Sequence, residues 1–371
     1  MTQTVPFVAL GRQHEPLRAG LSEAFERVLG ADAFILGHEV EAFEAEFAAY
    51  CGTRHCVGVA SGTAALAIAA LAAGIRPGDE VIVPAHTFIA SALGITHAGA
   101  RPVFCDVDPA TGLIDPASAE CLIGERTAAI VAVHLYGQAC DMKQLRALTD
   151  RHGLALIEDA AQAHGARFGQ QRVGGFGAAA CFSFYPSKNL GALGDGGAIC
   201  TDSDEIAERS RWLRHLGQRG KGEHVLPGFN ERLDGLQAAL LRVKLPYLDG
   251  WIEARRRAAE RYRGALPAGL RLLEERPESP CTYHLFPIRT TRRDGLAAAL
   301  AEAGVGTGVH YSPAVHEQPP YRDHPRAGGG CPEASAWAAE ELSLPMFESL
   351  EPGEVDRVAE ACSEALAGAL S

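Results

Sequence analysis

The chain has 371 residues, 47% of them hydrophobic and 22% charged, enough apolar material for a sizeable buried core. Its formal net charge of −12 is spread along the sequence, which excludes a general attraction for nucleic acid or an anionic membrane surface. The opening MTQTVPFVALGRQHEP lacks the basic-then-apolar order of a secretory signal, and the most apolar run, 64–74, is too short to span a bilayer, so a cytoplasmic protein is expected.

Ten cysteines are scattered with no CxxC pair and no Cys/His set that completes a zinc site, so free buried thiols and no metal are expected. An amphipathic stretch at 15–29 is expected to pack near a small C-terminal domain. From about 55 to 201, β-rich runs at 81–84, 102–107, 128–135, 154–158, 180–185 and 198–201 alternate with helical patterns at 63–73, 87–97, 142–152 and 204–216. Several of these strands are apolar on consecutive residues, as strands are when helices cover both faces of a sheet. The pattern predicts an α/β layered domain with a mostly parallel central sheet. Beyond Asn230, Leu233, Leu236, Leu240 and Val243 recur at helical spacing until Pro246 interrupts them. A charged helix at 251–265, strands near 283–288 and 307–311, and helices at 331–342 and 352–369 complete the prediction. The expected division is a large domain, 1–250, and a smaller α/β domain, 251–371.

Four segments carry chemistry. ASGTAAL (60–66) places Ser, Gly and Thr at a helix start, where free N–H groups and the helix dipole suit a phosphate, although a plain N-cap has the same composition. LALIEDAAQAHGA (154–166) is a buried strand ending in two carboxylates, and Glu158 or Asp159 at such an end can hold a pyridine nitrogen protonated. In CFSFYPSKNLGALGDGGAICT (181–201) a strand leads to a proline, a lysine and a glycine-rich turn. A crowded amine there can lose its proton and attack an aldehyde, whereas the glycines open no helix and so form no dinucleotide fingerprint. PGFNERLDGLQAALLRVKL (227–245) puts Asn230 and Arg232 at an expected helix start.

In this order the segments resemble the DegT/DnrJ/EryC1/StrS family of sugar aminotransferases, which depend on pyridoxal 5′-phosphate (PLP). The resemblance runs from AFILGHEVEAFEAEFAAYCG (33–52), through GDEVIVPAHTFIASA and RPVFCDVDPATGLID, to GVGTGVHYSPAVHEQPPYRDH (304–324). It implies the aspartate aminotransferase-like fold (fold type I), with a large domain on a mostly parallel sheet and a smaller C-terminal α/β domain. It also implies roles. Lys188 matches the lysine that carries the cofactor and moves protons, and Asp159 the acid that pairs with the pyridine nitrogen. Gln162 corresponds to the residue near the phenolic oxygen and Phe88 to the aromatic stacked on the ring. Gly62, Thr63 and Ser183 match the phosphate cradle, and Asn230 a residue given to the neighbouring subunit's phosphate, which implies a homodimer with shared active sites. His164, Tyr185, Arg232, His310 and Tyr311 are expected on the substrate side.

The implied reaction moves an amino group from L-glutamate to a nucleotide-linked keto-sugar. The wording around Lys188 and in RLDGLQAALLRVKL is closest to the branch that aminates C3 of 3-keto sugars. A 4-keto-sugar or cyclitol aminotransferase and a non-catalytic PLP- or nucleotide-sugar-binding relative are the alternatives. A related dehydratase carries histidine where this chain has Lys188.

Overall fold

Short apolar runs become strands and the periodic segments between them become helices, in a computed structural model that describes residues 4–326 and 330–367. The central sheet contains β1 (His55–Val59), β2 (Glu80–Pro84), β3 (Arg101–Cys105), β4 (Thr127–Val133), β5 (Ala155–Asp159), β6 (Ala179–Ser183) and β7 (Gly197–Thr201). Their order is β1-β7-β6-β5-β4-β2-β3, and β7 alone runs against the others. A second sheet pairs β8 (Arg271–Leu272), β9 (Phe286–Arg289) and β10 (Glu341–Leu344), all antiparallel.

The helices of the first half are α1 (Leu10–His14), α2 (Arg18–Gly30), α3 (His38–Cys51), α4 (Gly62–Ala72), α5 (Ala90–His97), α6 (Pro116–Glu120) and α7 (Met142–His152). Those of the second half are α8 (Asp204–Arg214), α9 (Gly235–Lys244), α10 (Leu248–Ala265), α11 (Arg293–Glu302), α12 (Pro332–Glu340) and α13 (Pro352–Ala367). Alanine dominates α4, which is buried nearly all round, and its small side chains let α5 come close: a Cβ on Gly94 would lie 2.4 Å from Leu66 Cβ. One apolar cluster runs from Val81 and Ile130 in the central sheet to Phe286, Trp337 and Leu342 by the second sheet. The expected boundary at 250/251 falls within α10.

The structure corrects four expectations. The run at 331–342 is not one helix: α12 ends at Glu340 and the next four residues form β10, whose backbone pairs with β9. The stretch at 307–311 forms only an isolated bridge, Gly308 to Ser343. Asn230 and Arg232 lie in extended chain bridged to His215 and Val59, and the helix starts later, at Gly235. Finally, Leu21, Ala24 and Val28 of α2 pack on Ala239 and Leu240 of α9, because that face offers an apolar stripe flanked by Leu236, Val243 and Trp251. It is Arg12 in α1 that reaches α13, with hydrogen bonds of 2.9 and 2.8 Å to Glu354. The expected helical residues 368–369 lie outside the described residues.

A buried ion pair joins three elements of the large sheet's edge. Glu44 in α3 accepts the Gly58 N–H of β1 at 2.8 Å and pairs with Arg214 at the end of α8, which also donates to the Gly58 carbonyl at 2.6 Å. Removing one partner leaves the other's charge stranded away from water. Glu44→Ala is therefore expected to cost about 3–5 kcal/mol of unfolding free energy, read as a lower urea midpoint with an unchanged slope.

Candidate active site

Parallel strands end together, and the register fixes what stands at that edge. Asp159, last in β5, sits between Val133 of β4 and Cys181 of β6. A cavity of about 430 Å³ opens beyond these strand ends, where ligands gather in open α/β sheets. It is walled by Phe7–Leu10 and Gln13 on one side and by Met346–Glu348 on another.

Side-chain alternation sends the two carboxylates of β5 to opposite faces. Glu158 turns away, accepting the N–H groups of Phe176 and Gly177 at 2.9 Å each and facing His134 Nε2 at 3.2 Å. Asp159 lines the cavity. Burial pushes its pKa above the ordinary carboxylate value, against hydrogen bonds from the Ser91 hydroxyl (2.6 Å) and the Ala161 N–H (3.2 Å) and the charges of Lys188 and His134. Thr87 Oγ1 lies 2.8 Å from Ser91 Oγ and extends this chain of bonds.

Lys188 lies in the same cavity, on a turn closed by its own N–H to the Tyr185 carbonyl at 2.8 Å. The turn is tight. A Cβ on Gly191 would meet the Pro186 carbonyl oxygen at 2.2 Å. Burial lowers the Lys188 amine to about 8, while the negative charge of Asp159 pulls it back up. The free amine is thus accessible near neutrality.

At the start of α4, Ser61 caps the helix by accepting the Ala64 N–H at 3.1 Å, and Ser61, Gly62, Thr63 and Ser183 all line the cavity. A Cβ on Gly62 would stand 2.7 Å from Ser183 Cβ, so glycine is what allows the helix N-terminus and the end of β6 to meet. Phe88 packs against Tyr311 with ring centroids 5.0 Å apart. Gln162 is fixed at both ends: its Oε1 accepts the Tyr136 N–H at 2.7 Å and its Nε2 donates to Tyr311 Oη at 2.9 Å. Tyr185 and His310 also line the cavity.

Three expected residues do not. His164 is fully buried among Phe47, Phe182 and Phe184, and burial lowers its pKa to about 3. Arg232 donates to His215 Nδ1 at 2.9 Å, and Asn230 is exposed on the surface. Sequence reasoning missed Ser91, one turn beyond Thr87, and Tyr136, His284, Arg255 and Glu341, which approach from distant segments without a local motif. Among the described residues no helix is long and apolar enough to cross a membrane, and no group of three His, Cys, Asp or Glu side chains could hold a metal. All ten cysteines are free, and Cys121 is the exposed one.

A buried acid, a half-buried amine and a helix N-terminus sharing one cavity suit a protonated pyridine nitrogen, an aldehyde and a phosphate. Those are the three handles of PLP, and the fold and cavity define a PLP-dependent aminotransferase of the mostly parallel α/β type. The chain belongs to the DegT/DnrJ/EryC1/StrS aminotransferase family, whose sequence profile matches residues 17–363. It is 47% identical over 365 residues to a dTDP-3-amino-3,4,6-trideoxy-alpha-D-glucose transaminase of Streptomyces venezuelae, covering 98% of this chain and 96% of the relative. It is 42% identical over 374 residues to a UDP-N-acetyl-3-dehydro-alpha-D-glucosamine 3-aminotransferase of Acidithiobacillus ferrooxidans, covering 99% and 100%. The crystal structure of S. venezuelae DesV in complex with a ketimine intermediate superposes with a TM-score of 0.95 at 46% identity, over 98% of this chain and 99% of the other.

Ser91→Ala removes the hydrogen bond that favours the charged form of Asp159 while leaving the apolar packing of α5 intact. Cofactor affinity is expected to fall about tenfold or more, measured by fluorescence titration of the apoprotein with PLP, with thermal stability little changed.

Proposed function

We propose that this enzyme transfers the amino group of L-glutamate to a nucleotide-linked 3-keto sugar in the cytoplasm, using Lys188 and Asp159 on bound PLP. The observation that carries the reading is the pairing in one cavity of an amine whose proton is loosened by burial and a carboxyl group held by Ser91. When bound, PLP supplies an aldehyde for imine exchange and a protonated ring that accepts electrons.

In this reading Asp159 holds the proton on the ring nitrogen. Lys188 would hold the aldehyde through its amine and, when that amine is free, would be the acid–base group that takes and returns a proton at the substrate carbon. Gln162 would hold the phenolic oxygen, and Phe88 would pack against the ring. Ser61, Gly62, Thr63 and Ser183 bind the phosphate at the positive end of α4. His310, Tyr311 and Tyr185 face the substrate, whereas His164 supports the site from within the aromatic core.

Asn230 is best explained by a second copy of the chain. It is exposed within its own subunit, beside an apolar surface made by the exposed side chains of Phe34, Ile35, Leu216 and Val225. Such a surface suits a homodimer in which Asn230 reaches the partner's phosphate site. The names of the two relatives share amination at C3 and differ in the nucleotide, which favours a 3-keto over a 4-keto substrate and leaves dTDP and UDP as the candidates to compare.

The test is a matched panel of 3-keto and 4-keto nucleotide-sugars with L-glutamate, with products identified by mass spectrometry and NMR. The 3-keto compounds are expected to be aminated with a kcat/KM at least tenfold above the 4-keto compounds; the reverse ranking contradicts the assignment. L-Glutamate alone is expected to convert the cofactor to its amine form, which a mere binding module would not do. Lys188→Ala is expected to abolish turnover, and its mixture with Asn230→Ala subunits to regain part of the activity through hybrid dimers. No recovery after proven subunit exchange would refute the shared site.

A further inference from the structure

Glu341 and Ser343 stand two residues apart on β10 and so share one face of the strand; both are fully buried. Glu341 Oε2 accepts the His310 backbone N–H at 2.5 Å, and the Ser343 hydroxyl lies 2.5 Å from Glu341 Oε1. Ser343 Oγ is also 2.9 Å from His310 Nδ1. The imidazole stacks on Phe7 with centroids 5.5 Å apart and planes 15° from parallel, so the ring is held on its face as well as its edge. Among the described residues nothing pairs with Nε2, and the ring lines the cavity that contains Lys188.

Proton counting makes this chain directional. The serine hydroxyl has one proton. If Glu341 is ionised, that proton goes to the carboxylate, so Ser343 Oγ accepts from Nδ1–H and Nε2 is left as a bare acceptor. If Glu341 is neutral, its proton goes from Oε1 to Ser343 Oγ, because Oε2 already faces an N–H. The serine then donates to Nδ1, and Nε2 carries the proton.

We propose that Glu341 and Ser343 are positioning residues that convert the charge of Glu341 into the tautomer of His310, and thereby decide whether Nε2 accepts from or donates to a hydroxyl of the keto-sugar beside Lys188. The sugar contact rests on the function proposed above; the relay does not. Burial raises Glu341 to about 8, against the His310 N–H, the Ser343 hydroxyl and the charge of Arg293 on α11. The phenols of Tyr136 and Tyr311 also face it. His310 is faced by Lys188 and His284, and burial followed by the Lys188 charge lowers its pKa to about 4. The imidazole therefore stays neutral while Glu341 titrates. Rising pH ionises Glu341 and turns Nε2 from donor to acceptor.

The experiment uses the PLP-loaded enzyme with 15N-labelled histidine. The His310 signals are assigned by their loss in His310→Asn, and long-range 1H–15N spectra distinguish the two tautomers. The unsubstituted enzyme is expected to pass from Nε2–H to Nδ1–H between about pH 7 and 9, the window set by the Glu341 shift. Glu341→Gln should remain Nε2–H throughout, because its amide oxygen must face the His310 N–H and its NH2 must face Ser343. Its sugar KM should also lose a pH dependence of about threefold or more. A single tautomer across the range in the unsubstituted enzyme, which needs no folded variant, overturns the relay. A tautomer change with no matching change in sugar KM overturns the sugar contact. Absence of any keto-sugar turnover would instead fall on the proposed function, since the spectra are read without substrate.

Discussion

Taking a carboxylate and an amine out of water is costly, and the site is organised around that cost. Asp159 lies in a cavity where burial favours its neutral form, opposed by hydrogen bonds from Ser91 and the Ala161 N–H and by the nearby positive charge of Lys188. Lys188 feels the same burial with the opposite consequence, since its charged form is the one disfavoured. Each group limits the other's shift. The sheet supplies this pairing because β5 and β6 are parallel neighbours that end at one edge.

The remaining architecture keeps that edge covered. The central sheet provides the floor, the second sheet brings His310 through Glu341 and Ser343, and residues 7–13 close one wall. Arg12 binds this wall to α13 through Glu354, while Phe7 stacks on His310, so the N-terminal segment is tied to the cavity at two points. A second buried lysine shows how differently the same chemistry can be used. Burial lowers Lys244 to about 8 as well, yet its Nζ donates to the Gly191 carbonyl at 2.5 Å and so braces the turn that presents Lys188.

Local signals in the sequence carried the central sheet and the Lys188 turn well. Consecutive apolar residues mark buried strands, and the proline and glycines around Lys188 mark a turn that few other residues could form. Signals failed where tertiary contacts decide. The segment Glu341–Leu344 continues a helical pattern but becomes a strand because β9 offers it a backbone partner. The choice between Glu158 and Asp159 depends on which face of β5 meets the cavity, which two adjacent acids do not disclose. Asn230 and Arg232 precede a real helix but are drawn into extended chain by His215 and Val59. Ser91, Tyr136 and Glu341 belong to the site only because folding brings their segments together, so no spacing announces them.

The chain has four lysines, at 143, 188, 221 and 244, which makes the central claim open to a direct chemical reading. Borohydride reduction of the PLP-loaded protein, followed by digestion and mass spectrometry, locates the imine nitrogen. The pyridoxyl label is expected on the peptide that contains Lys188 and on no other. A label on the Lys244 peptide or on a surface lysine, or no label at all, would contradict the assignment of Lys188.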